Sequence, residues 1–470
     1  MDNYPSLNEK ELPKPPHWSR AIGVGIVVMG LAIGTGELIL WPHLITKYGP
    51  SLLWLALIGI SCQYFINREV ARHEVATGEG FFTTSARAIQ WSVFFWLFSA
   101  IILYIWPGWA SAIGTILKEL FGFGSHLMWS WATLALVLVL TFSGKVAYGM
   151  LEKSLKITVP TFFILLLIIS YFNLSWDELK IILVGVVSFG SIPAGVDINV
   201  LLGGIVFAGA GGMLNLTVSL WYRDKQVGMG KYIGRIINPI TGRQEAVAAT
   251  GYKFNVADGN NLEHWRGWMR YITIDQGIIF LGLGFVTLFL LSANAYAVLA
   301  PKGLVPEGLE VAVVQANIFG DVWGPVGFKV FLAMAFLMLF SVMWTVIDAL
   351  TRMISDIIYT NAREGKYRRV FGVFGKFSIG QLYYGVIALV AIAGAFLIPL
   401  EQPLTLLVIS GVLSGLSMAI YTPFLIYLNN RHLPKPLRPS WLTNIIMSGI
   451  SLFFIYFAYR VIANAIIKIT

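Results

Sequence analysis

Apolar residues run along this chain in blocks too long to be one face of a soluble helix, and short segments between the blocks hold most of the charge. Crossing the hydrocarbon core of a bilayer as a helix takes about 20 predominantly apolar residues. About eleven blocks reach that length, near 21–46, 51–70, 91–117, 127–144, 154–173, 199–221, 272–293, 325–347, 378–399, 404–428 and 442–465. The pattern predicts an all-α polytopic membrane protein with about eleven transmembrane helices.

Composition agrees. Of 470 residues 57% are hydrophobic and only 12% charged, with a mean hydropathy of +0.73. Soluble domains carry roughly a quarter charged residues, and a chain this long does not hide such an apolar surface in one aqueous core. Cys62 is the single cysteine, so no intrachain disulfide can form. The leader 1–17, with Pro5, Pro13, Pro15 and Pro16, is expected to be disordered or extended. The block after it lacks a small-residue cleavage pattern and reads as a retained span.

The net charge of +9 takes its meaning from position. With the N-terminus cytoplasmic, alternating connections hold 26 of the 33 Lys and Arg, including eight within 223–270 and six within 352–376. That asymmetry follows the positive-inside rule, so the charge sets topology and nucleic acid is not an expected partner. A plasma-membrane location and a monomer are the expectations. The one long polar connection, 224–270, contains the turn signals Asn238-Pro239 and Asp258-Gly259-Asn260-Asn261 and reads as a small cytoplasmic excursion.

Two blocks carry helix-weakening runs. The first span contains Gly34-Thr35-Gly36-Glu37, and the sixth contains Ala208-Gly209-Ala210-Gly211-Gly212-Met213-Leu214-Asn215. Irregular backbone survives at membrane depth only where it faces protein or a water-lined cavity. Glycines can alternatively serve close helix packing. The two runs open the first and second sets of five spans, which is where inverted-repeat transporters place discontinuous helices. The expected organisation is therefore a leader (1–17), a first five-helix repeat (18–173), a second repeat (174–428) containing the 224–270 loop, and a final loop and helix (429–470). Glu37 is the one carboxylate expected near the midplane, and such a group points to function or to a protonated tie across the broken backbone. Asp348 and Arg352, at i and i+4 near one end of the eighth span, are expected to form a structural pair or gate. Glu69, Arg72 and His73, at the end of the second, are expected to be interfacial.

At these residues the chain resembles the natural-resistance-associated macrophage protein (Nramp) family of proton-coupled divalent-metal transporters, which have the LeuT fold. Ala71-Arg72-His73-Glu74-Val75-Ala76-Thr77-Gly78 matches the family's Ala-Arg-x-x-x-Ala-Thr-Gly pattern. Ile274-Asp275 and Leu406-Leu407-Val408-Ile409-Ser410 are in its style, and the spacing from the first break to Tyr48-Gly49 is kept. The site motifs depart. Gly34 stands where the family has its metal-binding Asp, and Glu37 where it has an Asn ligand. Ala208 keeps the position of a carbonyl donor, Gly211 replaces the Met ligand, and Met213 takes the place of a His. A one-residue slip instead puts Met213 or Asn215 at the site. The third span, where the family keeps acids for proton movement, has no Asp or Glu between Trp91 and Leu117, and its Pro107-Gly108 reads as a kink.

The resemblance implies a secondary transporter working by alternating access around unwound helices 1 and 6. Loss of the thioether ligand leaves Glu37 and the Ala208 carbonyl as metal donors, a set suited to Mg²⁺ or Mn²⁺ as cargo. The alternative is a carrier of an amino acid or other small organic solute. Its carboxylate would bind the free amides of Gly34 to Gly36 and of Gly211 to Gly212, with Thr35, Met213 and Asn215 lining the site. No cofactor and no catalytic residue is expected: the chain has no His-Glu-x-x-His, nucleophile elbow or P-loop, and its six histidines lack ligand spacing.

Overall fold

Twelve helices carry the fold in a computed structural model that describes residues 4–17, 21, 23–144, 147–237, 247–400 and 402–469. In chain order they are α1 (Val24–Tyr48), α2 (Pro50–Thr77), α3 (Ser92–Phe121), α4 (His126–Ser143), α5 (Glu152–Asn173), α6 (Ile198–Phe207), α7 (Leu214–Asp224), α8 (Gly259–Lys302), α9 (Val314–Asn361), α10 (Ile379–Leu400), α11 (Pro403–Arg431) and α12 (Trp441–Ile467). All but α6 and α7 are long and apolar enough to cross a bilayer, ten among the described residues. α6 and α7 are the two halves of the block expected near 199–221, which brings the count to the eleven expected spans.

Local chemistry sets the interruptions. Pro107 has no N–H and its ring crowds the preceding turn, so α3 opens over residues 105–107 as its kink signal implied. α9 bends at Gly324, at φ 58°, immediately before Pro325. α10 starts at a capping box in which Ser378 and Gln381 satisfy each other's backbone amides.

α1 occupies the centre. Its apolar stretch is 100% buried, against 28% for α4 at the periphery. A helix enclosed on all sides needs close approaches, and its glycines supply them: Gly30 meets Leu155 of α5, and Gly25 meets the Asp275 backbone of α8. The outer helices present Phe98, Ile157, Tyr171, Leu389, Phe396 and Leu452 outward. Such an apolar exterior is stable only against lipid, so the chain is an integral membrane protein.

The described part of the leader is extended and docked. Asn8–Glu9 pairs in parallel with Tyr252–Lys253. Leu12 is buried; its N–H donates to Asn261 at 2.9 Å, and Trp268 donates to the Pro13 carbonyl at 2.7 Å. The aromatic start of α8 thus gives the leader an apolar surface that its own proline-rich composition does not reveal. α8 itself begins at Gly259, so the polar connection is shorter than expected and its last dozen residues are helix. Asn238-Pro239 lies outside the described residues.

Candidate functional site

The two glycine-rich runs adopt different structures. The first is not unwound: Ile33–Leu40 continues α1 as a π-helix with right-handed dihedrals at both ends. The expectation of an open break there is corrected, because the four residues of the run are used for packing in four directions. A Cβ on Gly34 would overlap Val342 of α9, and one on Gly36 would overlap the Phe207 carbonyl at the end of α6. Thr35 accepts a 2.7 Å hydrogen bond from Trp109 Nε1 of α3. Glu37 faces α8, where Gly284 leaves room for its carboxyl and Thr287 is the neighbouring hydroxyl. Thr287 donates to the Gly284 carbonyl at 2.9 Å, and among the described residues neither Glu37 oxygen has a hydrogen-bond partner. π-Helical turns inside α-helices frequently mark functional positions because they displace carbonyls from the regular ladder. Here the Leu38 carbonyl is taken by the Gln315 side chain.

The second run is a true break. Gly211 and Gly212 sit at φ +84° and +56°, a region that side chains with a Cβ rarely enter. Several of the freed backbone groups are met by buried side chains from other helices. Gln63 of α2 accepts from the Gly211 amide at 2.9 Å and donates to the Val206 carbonyl at 2.7 Å. Tyr104, just before the α3 kink, donates to the Gly211 carbonyl at 2.9 Å and accepts from the Leu214 amide at 3.1 Å. Tyr421 of α11 donates to the Gly212 carbonyl at 2.9 Å and accepts from Asn215 Nδ2 at 3.1 Å. Ser414 donates to the Tyr104 hydroxyl at 3.4 Å. Met213 is buried at the head of α7, and Asn215 Oδ1 lacks a partner among the described residues.

The structure therefore gathers Gly36, Ala208, Gly211, Gly212, Met213 and Asn215 around one break. It turns Gly34, Thr35 and Glu37 toward α9, α3 and α8. Glu37 and Ala208 face different neighbours in this conformation. Gln63, Tyr104, Trp109, Ser414 and Tyr421 complete the site and escaped the sequence reading. Their one signal was a hydrogen-bonding group inside an apolar block, and many such groups serve only their own helix.

Asp348 and Arg352 do pair, with Arg352 Nε donating to Asp348 Oδ2 at 2.7 Å. Tyr383 of α10 and Trp221 of α7 also donate to Asp348, at 2.5 and 3.0 Å. Arg352 further bonds Asp224 of α7, so the pair bridges α9 to α7 and is not confined to one helix face. Glu69 and Arg72 are buried within the protein: Arg72 grips Glu69 at 2.7 and 3.1 Å and donates to the Leu437 carbonyl. Among the described residues no three His, Cys, Asp or Glu side chains converge as a metal site.

No family model and no curated protein matches the sequence. Solved structures do resemble it. A manganese transporter of Eremococcus coleocola in complex with an aromatic bis-isothiourea substituted compound superposes with a TM-score of 0.59 at 13% identity, covering 96% of this chain and 90% of that one. A mutant of the same transporter gives 0.57 at 14% identity over the same shares. The inward-facing conformation of Mhp1 gives 0.50 at 14% identity, over 99% of this chain and 96% of that one. At these identities the likeness establishes the fold, which is the LeuT type.

Proposed function

We propose that this protein is a secondary transporter, a divergent relative of the Nramp branch, that moves a small polar organic solute by alternating access around the α6–α7 break. The observation that carries the reading is the set of neutral side chains holding that break. Gln63, Tyr104 and Tyr421 each satisfy backbone groups that a half-helix end would otherwise offer to a ligand. Exchanging such a bond for one to a solute costs little net energy, since one hydrogen bond replaces another. The Gly211 and Leu214 amides suit a carboxylate or carbonyl of the solute, and the Gly211 and Gly212 carbonyls suit an amine. The N-terminus is assigned to the cytoplasm, the membrane to the plasma membrane and the working unit to the monomer. Asp348 and Arg352 then lie at the inner gate.

A second reading has one observation in its favour. Glu37 is a fully buried carboxyl without a hydrogen-bond partner among the described residues, and a divalent cation such as Mg²⁺ or Mn²⁺ would satisfy it. The structural likeness to a manganese transporter is compatible with that cargo. In that reading Glu37 and the Ala208 carbonyl are the protein's donors to the cation.

The test is uptake into proteoliposomes, with amino acids, amines and nucleobases in one panel and Mn²⁺ and Mg²⁺ in the other. The expected result is saturable uptake and counterflow of an organic solute, weakened in Gln63→Ala. Saturable metal uptake that disappears in Glu37→Gln selects the second reading. Flux that neither saturates nor shows counterflow overturns both.

A further inference from the structure

Two buried ion pairs of opposite sense join α7 to α9. Arg223 of α7 binds Asp356 of α9 at 2.5 Å, and the next residue, Asp224, binds Arg352, one helical turn before Asp356. All four side chains are at least nine-tenths buried. Beside this clamp stands Glu74, in the last turn of α2. α2 runs for 28 residues, about 42 Å at 1.5 Å each, longer than the ~30 Å hydrocarbon core.

Glu74 is fully buried, and among the described residues neither of its oxygens has a hydrogen-bond partner. The same holds for Arg223 Nε, the edge of the guanidinium that Asp356 leaves unused. Arg223 is the charged group within electrostatic reach of Glu74. Among the other ionisable groups around it Glu69 is committed to Arg72 and Glu79 to Arg87, while His73 lies toward Asn429, His432 and Arg87 and its Nδ1 has no hydrogen-bond partner among the described residues. Over Glu74 lies the turn after α7, so tightly that a Cβ on Gly230 would overlap its carboxyl, while Gly228 presses on the Val75 backbone. α7 and the end of α2 are thereby packed as one body, whereas the clamp crosses to α9.

We propose that Glu74 is a proton-binding site whose occupancy is coupled to opening of the Arg223–Asp356 and Asp224–Arg352 clamp. This rests on the alternating-access reading and adds the coupling ion to it. With the clamp closed, Arg223 is neutralised by Asp356, and Glu74 keeps its proton because a second unpaired charge in that site is costly. When α7 separates from α9, Arg223 loses Asp356. Glu74 releases its proton to water on the cytoplasmic side and its carboxylate pairs with Arg223, while Asp356 is hydrated beside the Thr83 hydroxyl. One proton leaves per opening, and no other bond is made or broken.

The experiment is hydrogen exchange by mass spectrometry on the full chain in lipid nanodiscs, between about pH 5.5 and 8.5, corrected for intrinsic exchange. In the wild type the ends of α7 and α9 should lose protection as pH rises, by up to about tenfold per unit for a single linked proton. Glu74→Gln should abolish that pH dependence and stay protected, with its thermal stability confirming that it folds. Asp356→Asn should lower protection at every pH and flatten the slope, because Arg223, no longer neutralised, already holds Glu74 ionised with the clamp closed. A slope unchanged by Glu74→Gln, or absent from the wild type while Asp356→Asn still opens, overturns the proton site and leaves the transporter reading standing. Full protection in all three proteins at every pH overturns both.

Discussion

The Asp275 carboxylate at the start of the transmembrane part of α8 accepts a 2.8 Å hydrogen bond from the backbone amide of Gly25, in the first turn of α1. A second reaches it from the Gly23 amide at 3.0 Å, and the Tyr222 hydroxyl of α7 adds a third at 2.7 Å. The first turn of any helix leaves its amides without partners, and Gly23, at the cap position, has no side chain to supply one. A carboxylate from 250 residues away caps the helix instead, aided by the positive end of the helix dipole. α1, α7 and α8 are thereby tied at one point. Asp275→Ala should cost about 3 kcal/mol, because two buried amides and a hydroxyl lose a charged acceptor. Asp275→Asn, which keeps one acceptor, should cost less. Thermal unfolding in detergent measures both, and an unchanged midpoint in Asp275→Ala would refute the cap.

Gly36→Ala should block transport and destabilise the protein. Its Cβ would overlap the Phe207 carbonyl, a backbone atom that cannot swing aside as a side-chain tip could. Overpacking of this kind costs about 1–3 kcal/mol. Gly203→Ala is the matched control, since the nearest atom to a Cβ there is at 3.7 Å. Uptake that survives in Gly36→Ala would show that the α1–α6 contact is dispensable.

Tyr421→Phe removes the donor to the Gly212 carbonyl and the acceptor for Asn215. The expected loss of stability is about 1–2 kcal/mol. If solute and hydroxyl exchange places at the break, KM for uptake should change more than the maximal rate. An effect on the rate alone would place the solute elsewhere.

Arg352→Ala strands the Asp224 and Asp348 carboxylates in the interior, and breaking such a buried pair from one side costs about 3–5 kcal/mol. Arg352→Lys keeps the charge but not the fork that reaches two acids at once, so it should recover only part of the loss. Equal expression and unfolding midpoints for Ala, Lys and wild type would argue against the clamp.

Lys47 and Glu307 form an exposed pair at 2.6 Å, and the Lys47 ammonium holds the Glu307 carboxyl below its usual range. A depressed carboxyl contributes stability above its unfolded value, and that contribution fades as pH falls through the folded one. Both side chains are over two-fifths exposed, so solvent screening limits the effect to less than about 1 kcal/mol. Glu307→Gln should lower the unfolding midpoint slightly at neutral pH and not at all near pH 3, as a pH series would show.

The spans were legible in the sequence because a bilayer imposes a one-dimensional demand: each crossing must be apolar over a fixed length, whatever it packs against. The glycine runs were legible as places of weakness for the same local reason. Which weakness opens was decided in three dimensions. Gly211 and Gly212 could leave the helix because Gln63, Tyr104 and Tyr421 meet the groups they free. Gly34 and Gly36, of equal intrinsic flexibility, stayed helical because Val342 and the Phe207 carbonyl occupy the space beside them. Charge divided in the same way. Arg223, Asp224 and Asp356 look along the chain like flanks that orient a span, and only packing sets two of them against one another and Asp224 against Arg352. Solvent preference is written residue by residue, so composition along the chain determined the membrane architecture. Partner choice depends on the shape of the whole packed interior, and there the tertiary structure alone decided that Glu37 faces α8 and that the break is closed by neutral side chains.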